Sequence, residues 1–374
     1  MSRAAWPVGK RVVVSELGED PPEAIERFAS LEPMAAPDPA TLGARDVIIA
    51  IRSAQVGWVD LLMTSGQYQH LPKPPYTPGL EYAGVVAWVG AEGGGAVAVG
   101  DEVLVDGFLA GPRSLGGYQA YGGFASYAVA PVEAVRRIPG GLSFDQACNL
   151  LGNYETAYHC LVARGRLAAG ETVMIHGASG STGLAAVRVA KLVGATVIAT
   201  GRSDDKLALV RSEGADHVLS VRRPDGAPGV RELREEVKAL TGGRGVDVVY
   251  DGVGGDISAE SLRCMRFGAR FLIVGWAATP GVSRGKGQRG APNVNVLPTN
   301  LIMMKGIDVL GCPTVISTVH DPSLRPPRLA QILRWVEAGQ IKPHVSHVFA
   351  LADFKEAMRA KWRGEVVGGC VVRP

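Results

Sequence analysis

The sequence lacks the features that would place a protein in a membrane or in a disulfide framework. It contains no run of about eighteen apolar residues, so no transmembrane helix is predicted. The opening residues, MSRAAWPVGKR, lack the apolar stretch of a secretory signal peptide. Only five residues are cysteine, and none forms a CxxC pair, which is typical of a reducing compartment. We therefore expect a soluble, cytoplasmic protein.

Charge and repetition are scarce as well. The net charge of +3 is too small to predict binding to a polyanion such as nucleic acid, and no segment repeats at solenoid spacing. Hydrophobic residues make up 47% of the chain and charged residues 20%, the balance of a well-buried α/β enzyme. Because 374 residues are many for one hydrophobic core, two domains are expected.

The stretch from Glu171 to Lys206 has the pattern of a strand, a helix and a second strand. Thr172–His176 is a short apolar run ending in glycine, and helical spacing follows it to Gly194, a predicted helix C-cap. Thr196–Ala199 completes a unit of the size that binds a dinucleotide. Here glycines turn the chain, admit a pyrophosphate and seat the helix, whose N-terminus faces the phosphates. The predicted phosphate-binding residues are Ala178, Ser179, Gly180, Ser181, Thr182 and Gly183.

The end of the second strand predicts which dinucleotide is bound. NAD enzymes place an Asp or Glu there to hold the ribose 2′-hydroxyl, whereas this chain has Gly201, Arg202 and Ser203, followed by Lys206. Guanidinium, hydroxyl and ammonium groups can hold a 2′-phosphate that a carboxylate would repel. NADP(H) is therefore the expected cofactor. Alternatively, Ser203 caps a helix beginning at Asp204 and Arg202 is solvated, and both interpretations can hold at once.

Two later strands are expected in the same parallel sheet. Val246–Tyr250 and Arg270–Val274 are β-rich runs that each end in a polar or glycine-containing turn. Ligands of such sheets bind beyond the carboxyl ends of the strands. Cofactor contacts are therefore predicted for Asp251, Val253, Gly254 and Gly275. The first 145 residues or so, in contrast, have mostly the pattern of strands and turns, and the C-terminal tail is similar.

Five motifs carry a resemblance to a known family: Thr77–Glu81, Val99–Val103, Asn153–Tyr158, His176–Gly183 and Gly339–Pro343. In their order they resemble the medium-chain dehydrogenases/reductases over nearly the whole chain. The resemblance is greatest to the zinc-independent quinone oxidoreductase (zeta-crystallin-like) branch and its enoyl-thioester reductase relatives. It implies an α/β fold, with a Rossmann doubly wound parallel sheet, a GroES-like β-rich catalytic domain and the active site in the cleft between them.

The same resemblance implies domain boundaries and an assembly. Residues 1–148 and 315–374 would form the GroES-like catalytic domain, and residues 149–314 the Rossmann NADPH-binding domain. Because family members are commonly dimers or tetramers, a homodimer or homotetramer is expected, with the strand near Ile307 close to the subunit contact. The expected partner is a small-molecule quinone or α,β-unsaturated carbonyl, and neither nucleic acid nor membrane.

The chain departs from the zinc alcohol dehydrogenases of this superfamily at their metal ligands. It has Gln55–Asp60 where those enzymes carry a ligand cysteine, Gly79–Glu81 where they carry Gly-His-Glu, and no clustered cysteines. His344 and His347 would face opposite sides of a strand, so no metal site is predicted. Gly57 stands where nearer relatives have an asparagine, and this puts any role borrowed for that asparagine in doubt.

Without zinc, the expected acceptors are those that form weakly basic anions. An isolated ketone gives an alkoxide and benefits from a Lewis acid. A quinone or enone spreads the charge onto a carbonyl oxygen that N–H or O–H donors can stabilise. The prediction is an NADPH-dependent quinone or enone oxidoreductase. The alternatives are an enoyl-CoA (acyl-thioester) reductase and an NADPH-binding protein with little turnover, because a fold does not guarantee chemistry.

Three candidate catalytic residues follow from the resemblance. Tyr68 occupies the position of the proton-donating or substrate-orienting tyrosine of enoyl reductases, or it packs beside the prolines that follow it. Thr156 matches a residue expected near the nicotinamide, or its hydroxyl bonds back to a helix carbonyl. Tyr154 is expected to line the same pocket. His159 and His176 are expected to be structural.

A basic, glycine-rich loop raises the question of acceptor size. Arg284, Lys286 and Arg289 add three positive charges with no acid among them. Such groups suit the phosphates of coenzyme A. The alternative is a solvated surface loop.

Overall fold

The computed structural model describes residues 6–114, 116–279, 281–291 and 295–374. Its strands, in chain order, are β1 Gly9–Val14, β2 Ala29–Met34, β3 Asp46–Gln55, β4 Tyr82–Val89, β5 Glu102–Val105, β6 Tyr127–Pro131, β7 Val135–Arg137, β8 Thr172–Ile175, β9 Thr196–Gly201, β10 His217–Ser220, β11 Val246–Asp251, β12 Met265–Ile273, β13 Asp308–Gly311, β14 Val345–Ala350 and β15 Gly369–Arg373. Its helices are α1 Pro21–Glu23, α2 Trp58–Thr64, α3 Phe144–Ala147, α4 Leu151–Tyr158, α5 Ser181–Val193, α6 Asp204–Ser212, α7 Arg234–Leu240, α8 Asp256–Cys264, α9 Thr299–Lys305, α10 Thr314–His320, α11 Arg325–Glu337 and α12 Phe354–Trp362.

The chain forms two compact units, each built from separate segments. The first takes the chain up to Gly152, together with Ser283–Gly290 and Lys342–Pro374. The second takes Asn153–Val282 and Ala291–Ile341. Segments from the first and the last part of the described chain therefore contribute to the first unit.

The first unit is built around a mainly antiparallel sheet. Its strands follow the order β14-β15-β3-β4-β5-β7, and β6 also pairs with β3. The long strand β3 is almost wholly buried, because it pairs with β15, β4 and β6 and packs at the centre of the apolar core. The strands β3 to β7 thus fall in the first 145 residues, where the sequence predicted mostly strands and turns. The strands β1 and β2 form a separate two-stranded antiparallel sheet.

The second unit is built around a parallel six-stranded sheet in the order β10-β9-β8-β11-β12-β13. The winding direction reverses at β8, which pairs with β9 on one side and β11 on the other. Val173, Met174 and Ile175 of β8 are completely buried, as expected for a parallel strand with both faces covered. This is the doubly wound sheet that the sequence predicted.

The second domain boundary differs from the prediction. The sequence placed it between residues 314 and 315, whereas the structure keeps α10 and α11 in the second unit and begins the last segment of the first unit at Lys342. The reason is a buried ion cluster. Glu155 on α4 accepts hydrogen bonds from Arg325 and Arg328 of α11, at 2.8–3.0 Å. These bonds attach α11 to the second unit.

No helix among the described residues combines the length and the apolar character needed to cross a bilayer.

Candidate functional site

The loop between β8 and α5 has the geometry of a phosphate-binding turn. Gly177 leaves β8 with a φ of +62°, a left-handed conformation that favours glycine. Gly183, in the first turn of α5, is packed so closely that a Cβ there would collide with the carbonyl oxygen of Gly177. Two of the glycine functions expected from the sequence, turning the chain and seating the helix, therefore fall to Gly177 and Gly183. The C-cap Gly194 has a φ of +91°, as predicted.

The N-terminus of α5 is suited to an anion. Gly180 is its N-cap, with no side-chain cap bond, and the first turn contains no acidic residue. The positive end of the helix dipole therefore meets no carboxylate from its own first turn, and such an end favours an anion. Thr182 Oγ1 donates to Asn153 Oδ1 at 3.1 Å. Ser179 and Ser181 are half-buried, whereas Ala178 lies in the interior.

The turn after β11 lies next to this loop. Tyr250 of β11 pairs with Ile175 of β8, which brings the carboxyl ends of both strands to one edge. The Asp251 carboxylate is occupied by its own turn: it accepts from the N–H groups of Val253 and Gly254, at 2.8 and 3.0 Å, and from the hydroxyl of Ser258. Asp251 therefore shapes this turn.

Gly275 completes the same edge. Its N–H group donates to the carbonyl oxygen of Asp251 at 3.2 Å, because β12 pairs with β11. The structure thus gathers Gly177–Gly183, Asp251–Gly254 and Gly275 at one edge of the sheet. A cofactor contact of each residue stays a prediction.

His176 holds the end of β8. Its ring nitrogens lie 2.8 Å from Thr200 Oγ1 and 2.6 Å from Ser261 Oγ. Burial lowers the pKa of this imidazole, an effect that Asp251 opposes. Because both nitrogens of this buried ring lie within hydrogen-bond distance of hydroxyl groups, His176 connects β8 to β9 and α8. This agrees with the structural role expected for it, although Thr200 and Ser261 carried no sequence signal.

The residues predicted to hold a 2′-phosphate follow one another at and after the end of β9. Arg202 is exposed, and Gly201, Ser203 and Lys206 are half-buried. Ser203 is the N-cap residue of α6, but its side chain makes no cap hydrogen bond. The capping role that was the alternative for this serine is therefore absent.

A further basic residue, Arg222, follows the strand that pairs with β9. The short strand β10 pairs with β9, with Ser220 opposite Gly201, and the exposed Arg222 follows two residues later. The sequence reasoning missed β10, because four residues carry too little periodicity. Arg222 was missed with it.

Tyr68 lies in the first unit, on the loop after α2, and is half-buried. Its ring meets that of His70 edge-on, with the centroids 6.0 Å apart. His70 Nε2 is buried and has no hydrogen-bond partner among the described residues. Burial lowers the pKa of His70, and the nearby positive charge of Arg113 lowers it further. Tyr68 thus packs against a histidine that favours its neutral form.

Asp60 is the buried carboxylate of this region. It accepts from the backbone N–H groups of Gly57, Gly79 and Leu80, at 2.9–3.0 Å. Burial raises the pKa of Asp60 to about 6, although these three donors and Arg113 oppose the shift. The carboxylate therefore fastens the start of α2 to the turn before β4. Glu81 has a similar structural contact, with the N–H of Gly152 at 2.6 Å.

The two candidates on α4 differ in their surroundings. Tyr154 is buried in the second unit. Burial raises its pKa, and it faces Arg188 and Glu213. Thr156 is half-buried, and its hydroxyl makes no hydrogen bond to any described residue, in contrast to the Thr64 hydroxyl, which donates to a helix carbonyl at 2.7 Å. The bond back to the helix that was the alternative for Thr156 is therefore not made.

The basic loop is anchored to the first unit. The N–H of Lys286 donates to the carbonyl oxygens of Gly18 and Ser65, at 3.1 and 2.8 Å, and its ammonium group lies 2.8 Å from the carboxylate of Glu19. Arg284 and Arg289 are exposed. One of the three charges expected to meet a phosphate is therefore paired within the protein.

Within the described residues, no three or more His, Cys, Asp or Glu side chains are grouped so that they could hold a metal ion.

Comparison with known proteins identifies the family. The alcohol dehydrogenase GroES-like domain model matches residues 43–140, and the zinc-binding dehydrogenase model matches residues 181–321. The quinone oxidoreductase-like protein 2 homolog of Nematostella vectensis is 31% identical over 97% of this chain and 90% of its own length. The chain belongs to the medium-chain dehydrogenase/reductase superfamily. Within it, the chain falls in the quinone oxidoreductase branch.

Solved structures agree with this assignment. A probable oxidoreductase from Mycobacterium abscessus is 26% identical, with a TM-score of 0.78 over 98% of this chain and 100% of that one. The Escherichia coli quinone oxidoreductase complexed with NADPH is 23% identical, with a TM-score of 0.76 over 98% and 100%, and shares the fold. The prediction of an α/β fold with a Rossmann sheet and a GroES-like domain is confirmed.

Proposed function

We propose that this oxidoreductase is a zinc-independent, NADPH-dependent reductase of quinones or enones. The observation that carries the proposal is the chemistry at the end of β9, where an exposed Arg202 and a Ser203 without a cap bond stand in place of a carboxylate. These groups suit a 2′-phosphate.

The residues of the second unit fit a dinucleotide. The first turn of α5 offers N–H groups and no acidic side chain, and would hold the pyrophosphate. Arg202, Ser203 and Lys206 would hold the 2′-phosphate, with Arg222 as a further candidate. When bound, the nicotinamide supplies the hydride.

Tyr68 is the proposed proton donor of the first unit. Reduction of a quinone or a conjugated alkene leaves negative charge on an oxygen, and a phenol O–H can stabilise that charge or transfer its proton. Thr156 and Tyr154 are the proposed contributors from α4. The related proteins, which include a quinone oxidoreductase-like protein and a quinone oxidoreductase complexed with NADPH, support the same assignment.

The assignment is tested first on the cofactor. Each charge-assisted bond to a phosphate contributes roughly 1.5–3 kcal/mol, so Arg202→Ala should weaken NADPH binding by about ten- to a hundredfold and leave NADH binding nearly unchanged. Arg211→Ala, an exposed arginine near the other end of α6, is the matched control. Equal losses for both cofactors would refute the assignment of the 2′-phosphate site.

The acceptor is tested with a panel. NADPH oxidation should be measured with a simple quinone, a small enone and an enoyl-CoA. Turnover of the quinone or the enone supports the proposal, and turnover of the enoyl-CoA alone would favour the acyl-thioester alternative. Tight NADPH binding with no turnover of any acceptor would favour the binding protein.

We also propose a homodimer or homotetramer. Phe267 and Met303 of the second unit are each 75% exposed, and β13 has no second neighbouring strand among the described residues. An open edge beside large apolar side chains suits a second copy of the chain. Light scattering should show an oligomer at micromolar concentration that Phe267→Glu weakens. A monomeric wild-type protein would refute the proposal.

A further inference from the structure

Two of the five cysteines lie side by side in the second unit. Cys160 belongs to the π-helix His159–Arg164, which continues α4, and Cys312 directly follows β13. Both are buried, with 0% and 4% of their surfaces exposed. The Cys160 thiol donates to the carbonyl oxygen of Cys312, with Sγ and the oxygen 3.9 Å apart, and the Cys312 thiol donates to the carbonyl oxygen of Leu310 at 3.5 Å. Two segments that lie about 150 residues apart in sequence therefore meet at these two cysteines.

Hydrogen-bond donors and positive charges surround this pair. Arg164 donates to the carbonyl oxygen of Gly311 at 3.1 Å and faces Cys312, while the buried Arg328 faces Cys160. Burial, and then the two thiols, raise the pKa of the Tyr250 hydroxyl. Neither this hydroxyl nor Arg328 Nη1 has a hydrogen-bond partner among the described residues. Buried donors without partners are costly, and an oxygen atom added to a thiol would supply the missing acceptor.

The two thiols differ in acidity. The adjacent Cys160 thiol, and then the charge of Arg164, lower the pKa of Cys312, although burial opposes both effects. Burial raises the pKa of Cys160. Because the thiolate is the nucleophilic form, Cys312 is the better nucleophile and Cys160 is suited to a second step.

We propose that Cys312 and Cys160 form a peroxide-reactive dithiol that closes to an intramolecular disulfide. In the first step, the Cys312 sulfur attacks one oxygen of hydrogen peroxide. The S–O bond forms, the O–O bond breaks, and the leaving hydroxide takes up a proton to become water. In the second step, the Cys160 sulfur attacks the sulfenic sulfur of Cys312. The S–S bond forms, the S–O bond breaks, and the oxygen departs as water with the thiol proton.

The disulfide would join the extension of α4 to the carboxyl end of β13. Because α4 carries Tyr154 and Thr156, the modification would act on the helix that holds two proposed site residues. The dithiol itself is independent of the proposed function, since peroxide is its only reactant.

The remaining cysteines are internal controls. Burial raises the pKa of the Cys264 thiol to about 12 and that of Cys370 to about 11, and it also raises the pKa of Cys148. All three are buried. Cys312 should therefore react with peroxide about tenfold faster than any of them.

The experiment treats the reduced full-length protein with increasing hydrogen peroxide, blocks free thiols with a maleimide and maps the peptides by mass spectrometry without reduction. We expect a cross-link between the Cys160 and Cys312 peptides that has lost two hydrogen atoms, with the other three cysteines blocked by maleimide. A cross-link between other cysteines, or five maleimide-blocked thiols, would overturn the proposal.

Two variants separate the steps. In Cys160→Ser, a sulfenic acid should accumulate at Cys312 and be captured by dimedone, because the second thiol is missing. In Cys312→Ser, Cys160 should remain reduced at the same dose, and Cys148→Ser should behave like the wild type. Equal oxidation of Cys160 in the presence and absence of Cys312 would contradict the assigned order. The wild-type peptide map decides the main point even if a variant folds poorly.

Discussion

The two units bury a carboxylate in opposite ways. In the first unit, Asp60 is held by three uncharged backbone N–H groups, and burial raises its pKa to about 6. In the second unit, Glu155 is held by the guanidinium groups of Arg325 and Arg328. Backbone donors stabilise a carboxylate without adding a charge, so desolvation prevails at Asp60. The second unit places full positive charges beside its carboxylate.

The difference lies in what remains when the carboxylate is lost. Removal of Asp60 would leave neutral N–H groups, whereas removal of Glu155 would leave buried cations. Since uncompensated buried charges are more costly than unpaired dipoles, the second unit should be the more sensitive to a single substitution.

The largest effect is expected for Glu155→Ala. This change removes the carboxylate partner of Arg325 and Arg328, whose side chains are at most 11% exposed. The free energy of unfolding should therefore fall by about 3–5 kcal/mol. Denaturant titration followed by hydrogen exchange would measure the loss and assign it to the second unit. Glu133→Ala, which breaks the exposed pair with Arg45, is the matched control and should change little. A loss no larger than the control's would remove the contrast between the units.

The next effect concerns catalysis and rests on the proposed function. If the phenol donates a proton in the transition state, Tyr68→Phe should lower kcat about 100-fold. This loss corresponds to an activation free energy that is higher by about 2.7 kcal/mol. Tyr154→Phe should have a smaller effect, because this tyrosine is buried among the groups of α5 and α6. Steady-state kinetics at saturating NADPH would compare the two. Equal loss in both variants would contradict a separate role for Tyr68.

The smallest effect is the opposite pH dependence of the two units. The folded-state pKa of Asp60 is raised from 3.8 to about 6. Its contribution to stability is therefore complete below pH 3.8 and is lost as the pH rises through 6. Burial lowers the pKa of His159 in the second unit from 6.5 to about 4. Its contribution is present above pH 6.5 and is lost as the pH falls through 4.

Asp60→Asn and His159→Gln should each remove one of these dependences. The difference in melting temperature between wild type and variant should slope in opposite directions for the two positions between pH 4 and 6.5. Across this pH range, the contribution of each group to the free energy of unfolding should change by roughly 1–2 kcal/mol after solvent screening. Slopes of the same sign would show that the two groups do not titrate as their burial requires.

Much of the second unit could be predicted because its signals are local. The run from Thr172 to Gly201 contains a strand period, a glycine-rich turn, a helix period and a C-cap glycine within about thirty residues, and β8, α5 and β9 follow them closely. The first unit was less predictable. The strand β2 contains Glu32 and Pro33, which are rare in strands, and depends on its pairing with β1. The seven-residue α2 depends on the bond between Asp60 and its N-cap residue, Gly57.

By itself, the sequence determined the parallel sheet of the second unit, the position of the glycine-rich turn after β8 and the residue types after β9. These depend on residues within a few turns of one another, and backbone sterics and side-chain period decide them. Only the tertiary structure showed that Glu155 meets Arg325 and Arg328 some 170 positions away. It alone showed that Cys160 Sγ meets the backbone of Cys312. Contacts between distant residues arise from packing of whole elements, and no local pattern encodes which buried groups become neighbours.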